Sequence, residues 1–91
     1  MYAVRWTLPA IRQLTEIRRF IAENDSIAAN DLAAEIREKA ETLHTLPHRG
    51  MRRGDGFRGL VIRKRYILEY RTEGTTVYIT GVIVGAPQTK C

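Results

Sequence analysis

The hydrophobic period of this chain changes once, and that change limits the fold more than any other feature. Before Pro47 the apolar residues recur at helical spacing. Ala10, Leu14, Ile17 and Ile21 form one stripe, widened by Ile11 and Phe20, and Ala29, Leu32, Ala33, Ile36, Ala40 and Leu43 form a second. Residues three and four apart share one face of an α-helix, so each stripe predicts a helix with one buried side. After Pro47 the helical spacing stops. Three runs follow, 57–63, 66–71 and 76–84, that alternate or are rich in β-branched residues, as strands are.

The boundaries have local signals. Thr7 is placed to N-cap the first helix, with Pro9 in the first turn where its missing N–H costs nothing, so the helix is expected from about Leu8 to Glu23. Asp25 is the expected N-cap of the second helix, which should run to about Leu46 and stop at Pro47. Glu35 and Lys39 are spaced as an exposed pair on that helix. "PHRGMRRGDG" is polar and Gly-rich and reads as a loop, with "RGD" a turn within it, while "KR" and "TEGT" have the length of hairpin connections. Tyr2–Trp6 alternates and reads as a short strand. The order is β-α-α-β-β-β, an α+β fold with a helix hairpin packed on one face of a mainly antiparallel four-stranded sheet. The last strand is apolar at nearly every position. It should be central and covered on both faces, with a partner needed on the face away from the helices.

Ninety-one residues predict a single domain, 1–91, and 44% apolar with 27% charged residues fits a folded chain. The apolar runs are too short to span a bilayer, and no basic stretch followed by an apolar core opens the chain as a secretory leader. The single cysteine, Cys91, excludes an internal disulfide framework and a cysteine-based zinc site. It reads as an exposed, inert thiol in a protein of the reducing cytoplasm. Trp6 and Tyr66 read as core or helix-packing aromatics.

Net charge is +5 and is unevenly placed. Between Arg49 and Arg65 stand seven basic residues, Arg49, Arg52, Arg53, Arg58, Arg63, Lys64 and Arg65, against Asp55 alone, a net of +6, and the rest of the chain nets −1. Such a field bears on partners and association rate rather than on fold. Arg49, Arg52, Arg53, Arg58, Arg63 and Arg65 are therefore the candidates for partner or target binding. With few aromatics interleaved, direct nucleic-acid contact is expected through phosphates and without sequence preference.

Trp6, Thr7, Ala10, Leu14, Ile17, Phe20 and Ile21 together resemble the opening of RelE/ParE-type toxins of bacterial toxin–antitoxin modules. The stretch Asp25 to Pro47 is similar to their second helix, and "GFRGLVIRKRYILEYRTEGTTVYITGVIVG" looks like their three closing strands. The resemblance covers nearly the whole chain. It implies a small cytoplasmic toxin of the plasmid-stabilisation type, held inactive by a cognate antitoxin in a hetero-oligomer, away from membranes and without cofactor or metal. It also implies one of two mechanisms. RelE-like members cut messenger RNA in the ribosome, and ParE-like members act on DNA gyrase.

A metal-independent ribonuclease must activate a 2′-hydroxyl, stabilise a phosphorane and protonate a leaving oxygen. RelE-like members use basic residues on the strand after the helices, an Arg on the next, and an Arg, His or Tyr at or beyond the end of the last. Arg58 matches the first of these positions, but the next two fall on Leu60 and Ile67. The last strand ends in Val84-Gly85-Ala86-Pro87, with no late Tyr expected. Taken singly, Arg58 reads as a surface or antitoxin-contacting arginine, and His44, on the exposed side of a helix, and His48, in the loop, as solvated. No carboxylate pair or metal-ligand spacing appears, and Gly50, Gly54, Gly56 and Gly59 do not form a phosphate loop. The expected function is a ParE-like gyrase inhibitor acting by binding, not an enzyme. The alternatives are a RelE-like ribosome-dependent endoribonuclease, or a degenerate toxin that only binds antitoxin. More apolar surface is expected than a chain of this size buries alone, so a partner should cover part of it, with its acids on Arg52, Arg53 or Arg58.

Overall fold

Thr7 joins the first strand, β1 (Ala3–Trp6), to the first helix, α1 (Leu8–Ala22). The computed structural model describes residues 1–85; Ala86 and Pro87, where no late catalytic Tyr is expected, and Cys91, read above as an inert thiol, lie outside the described residues. Thr7 holds the N-cap position in an extended conformation, as its spacing predicts, but its side chain does not cap the helix. The hydroxyl donates to the Ile79 carbonyl at 2.7 Å, and the Thr7 N–H donates to the same oxygen at 3.1 Å. Pro9 explains the difference, because it removes one of the first-turn N–H groups that a capping hydroxyl would serve. Thr7 thus ties the β1–α1 junction to the sheet.

The second helix, α2 (Ser26–Glu41), begins as expected, with the Asp25 carboxylate accepting the Ala28 N–H at 3.0 Å. It ends five residues before Leu46, in a 3₁₀ turn over Thr42–His44. The Thr42 hydroxyl donates back to the Lys39 carbonyl at 2.6 Å, and this local side-chain bond tightens the last turn. His44 is consequently not on an exposed helix face. It is half-buried, with Nδ1 3.3 Å from the Tyr2 carbonyl oxygen. The two helices are joined by three residues and cross-linked by Arg18 Nε, which donates to Asn30 Oδ1 at 3.0 Å.

The remaining strands are β2 (Met51–Arg52), β3 (Phe57–Ile62), β4 (Tyr66–Glu73) and β5 (Thr76–Val84). The sheet has five strands in the order β1-β5-β4-β3-β2, one more than the four expected. The additional strand, β2, lies inside the segment read as a loop. Two residues in a Gly-rich stretch are too few to display alternation. β1 runs parallel to β5 and the other pairs are antiparallel. The β3–β4 turn places Arg63 and Lys64 at φ 55° and 58°, a left-handed conformation that costs non-glycine residues on the order of 1 kcal/mol each.

One apolar core lies between the helices and one face of the sheet. Ala10, Leu14, Leu32, Ala33, Ile36, Ala40 and Leu43 meet Ile62, Leu68, Tyr70, Val77, Ile79 and Val82, with Trp6 and Tyr66 packed at its margin. β5 is central, as its composition predicts, but only its helix side is covered. Tyr78, Thr80 and Ile83 remain half-exposed on the other face. A bulge opposite Glu69 and Tyr70 interrupts the β4–β5 ladder. There the Thr80 hydroxyl donates to the Glu69 carbonyl at 3.2 Å, and the Val82 N–H finds Gln13 Oε1 on α1 at 2.8 Å.

Tyr70 is fully buried, and its hydroxyl accepts the Gly50 N–H at 2.9 Å. A Cβ on Gly50 would lie 2.8 Å from that oxygen, so the contact requires glycine there. Removing the acceptor leaves a buried N–H unpaired, which costs about 1–3 kcal/mol. Tyr70→Phe is expected to lower the unfolding free energy by that amount, seen as a lower urea midpoint at an unchanged m-value. An unchanged midpoint would show that the hydroxyl contributes nothing.

Candidate partner-binding site

The basic segment contiguous in sequence is not contiguous in space. β3 carries it from one end of the sheet to the other. Arg58 and Arg63 are five residues apart on an extended strand, which separates them by about 17 Å, roughly twice the Debye length of about 8 Å at physiological salt. Arg49, Arg52 and Arg58 therefore belong to one end, and Arg63, Lys64 and Arg65 to the hairpin tip at the other.

Several of these arginines are already engaged. Arg58 is half-buried on the helix side of β3, beside its register partner Tyr70. Its Nη1 donates to the carbonyls of Gly50 at 2.9 Å and His48 at 3.2 Å, so it fastens the chain between α2 and β2. Arg49 Nη1 donates to Thr42 Oγ1 at 2.9 Å. Arg53 turns to the opposite face of the sheet, where Nε lies 3.7 Å from Glu69 Oε2. Arg63 Nε meets Glu35 Oε1 at 2.6 Å and ties the hairpin tip to α2. That contact replaces the Glu35–Lys39 pair expected from spacing. Arg52, Lys64 and Arg65 are exposed and form no ion pair among the described residues.

The positions aligned with ribonuclease groups do not converge. Leu60 faces the helices and packs against the core. Ile67, which pairs with Val61 and Ile83, is on the other face and is 8% exposed. Val84 is 57% exposed at the end of β5. Among the described residues, no group of three or more His, Cys, Asp or Glu is placed to hold a metal ion. No helix of the described chain is long and apolar enough to cross a membrane.

What the fold does assemble is an apolar groove between α1 and the β3–β4 hairpin. Ile17, Phe20, Ile21, Tyr66 and Val84 line it, with Glu16 and Arg65 at its rim, around a volume of about 540 Å³. Phe20, 73% exposed, is the largest apolar side chain left open there. The helical stripe contains Ile17, Phe20 and Ile21, but the convergence of Tyr66, Val84 and Arg65 on them depends on the β4–β5 register. Sequence spacing does not reveal that register. A second apolar patch lies on the uncovered sheet face, where Met51, Val61, Ile67 and Ile83 surround Arg53 and Gly59.

The two kinds of arginine respond differently to truncation. Arg58→Ala removes bonds to two carbonyls and is expected to destabilise by about 1–3 kcal/mol. Arg52→Ala, at an exposed position, is expected to change stability by about 0.5 kcal/mol or less. Chemical unfolding of the two variants side by side checks this, and equal losses would contradict the assignment.

Residues 4–86 match the family described as the ParE toxin of the type II toxin–antitoxin system parDE. The chain is 30% identical over 82 residues to the protein named Toxin RelE2 from Caulobacter vibrioides, covering 90% of this chain and 93% of that one. Its fold is similar to the structure titled "Chromosomal ParDE TA system from P. aeruginosa", with a TM-score of 0.79 at 20% identity over 92% of this chain and 96% of that chain. The sequence match, over a fold with two helices on a mixed five-stranded sheet, shows that the chain belongs to the ParE family, within the RelE/ParE toxins of type II toxin–antitoxin systems.

Proposed function

We propose that this toxin acts by binding and inhibiting DNA gyrase rather than by cutting RNA, and that a cognate antitoxin neutralises it in a cytoplasmic hetero-oligomer. The whole chain acts as one domain in this reading. The observation that carries it is the placement of Leu60 and Ile67. Two positions aligned with phosphorane-stabilising groups are apolar and lie on opposite faces of the sheet. Neither side chain can hold a proton or a charge. Arg58 can attract a phosphate, but a guanidinium offers only N–H donors and no acceptor, so it cannot serve as a base. Losing one stabilising donor typically costs about 100- to 1000-fold in rate, and here more than one is absent.

The relative named Toxin RelE2 keeps messenger-RNA cleavage as the second reading. Inducing the chain alone and following DNA and protein synthesis separately distinguishes the two. Gyrase inhibition stops DNA synthesis first. Translation failing first would contradict it, and growth without either defect would mark a toxin that only binds antitoxin.

The antitoxin reading is supported by the groove between α1 and the hairpin tip. An amphipathic helix fits such a groove with its apolar anchors inward, and acids on its flank would meet Lys64 and Arg65. Phe20→Asp is expected to weaken antitoxin binding by about tenfold or more, measured by copurification and titration. Replacing Lys64 and Arg65 by Ala should slow association and flatten its salt dependence while changing the dissociation rate little. An unchanged on-rate at low salt would show that the tip faces away from the antitoxin.

A further inference from the structure

Two arginines stand directly opposite each other where β2 meets β3. Arg52 is the register partner of Arg58. The Arg53 N–H donates to the Phe57 carbonyl at 2.8 Å, which makes the Arg52–Arg58 pair the non-hydrogen-bonded kind. Cα atoms of such a pair are about 4.5 Å apart and the side chains leave the same face closest together. Like charges in this arrangement destabilise a sheet. Neither arginine has an ion-pair partner among the described residues. Arg58 is moreover half-buried, where solvent screens its charge less, and carbonyls rather than a carboxylate meet it.

A cavity of about 340 Å³ opens at this pair, at the small end of the range for ligand pockets. His48, Phe57 and Thr72 complete its wall, and Asp55, on the turn through Gly54 and Gly56, is the one acid that lines it. Asp55 makes no ion pair with either arginine. The cavity thus offers two guanidinium groups, an imidazole and a hydroxyl. A compact anion with several oxygens would accept from both guanidinium groups and remove their repulsion.

We propose that Arg52 and Arg58, with His48 and Thr72 in the wall, form a binding site for the phosphate group of a small ligand, either inorganic phosphate or a nucleoside monophosphate. The site lies at the opposite end of β3 from the apolar groove and does not depend on the choice between gyrase and ribosome as target. Phosphate is favoured over a carboxylate because its oxygens can bridge two forks at once.

Calorimetric titration of the purified full chain with phosphate, adenosine monophosphate and adenosine, in chloride buffer at fixed ionic strength, tests the proposal. Phosphate is expected to bind saturably, with shifts of the Arg52 and Arg58 Nε–H resonances. Arg52→Gln should weaken binding by about tenfold or more, while melting no lower than the parent without ligand because a like-charge neighbour is gone. Arg52→Lys, which keeps the charge, checks that any loss does not reflect misfolding. Equal affinity for phosphate and the nucleotide assigns free phosphate. Tighter binding of adenosine monophosphate than of phosphate assigns the nucleotide. No saturable binding, binding of adenosine alone, equal affinity in Arg52→Gln, or stronger binding of an oligoglutamate peptide would overturn the proposal.

Discussion

The hydroxyl of Tyr70 and the N–H of Gly50 hold the chain between α2 and the sheet in place. Tyr70 fills the core at the centre of β4, and its polar tip reaches the chain that returns from the helices. Gly50 must lack a side chain for that approach, and the contact fixes where the chain re-enters the sheet. Arg58 adds a second fastening by donating to the carbonyl of the same glycine. The position of β2 follows from these two contacts. So does the placement of Arg52 opposite Arg58, with the cavity between His48 and Thr72. A buried aromatic with a polar end can do this because its ring contributes apolar area while its hydroxyl serves one backbone donor.

The same geometry spreads the charge. A run of cations in sequence invites the image of one positive patch. A strand is a spacer, however, and six residues of β3 carry the run across the sheet. At the hairpin tip Arg63 is committed to Glu35, a contact that offsets part of the cost of its left-handed backbone. Lys64 and Arg65 form no ion pair among the described residues, and Arg65 stands at the rim of the apolar groove. On the open face, Arg53 lies over Gly59, whose missing side chain makes room for it. Three local fields result, each within reach of a different partner surface.

Most of the architecture was legible before any coordinates. The two helical stripes, the Asp25 cap, the central place of β5 and the order of the elements follow from period and turn residues. The resemblance to RelE/ParE toxins, carried by Trp6 through Ile21 and by the closing strands, agrees with the family match. The parts that escaped notice share a cause, since each depends on a contact distant in sequence. β2 exists because β3 supplies its partner, and Thr7 bonds to Ile79 instead of its own helix. Gln13 has no evident purpose until the β4–β5 bulge brings the Val82 N–H to it. Gly81, a glycine within a strand run, was the one local hint of that bulge. The groove around Phe20 was half-visible, because a helix stripe shows which residues are apolar but not which of them the sheet leaves uncovered.

Binding without RNA cleavage is the claim on which the functional reading stands, and purified components address it most directly. The toxin is added in parallel to gyrase with relaxed plasmid and to programmed ribosomes, with message ends mapped by primer extension. Gyrase inhibition predicts lost supercoiling and intact message on the ribosome. Codon-phased cuts that vanish on Arg58→Ala, with supercoiling unaffected, would contradict it and place the chain among the nucleases.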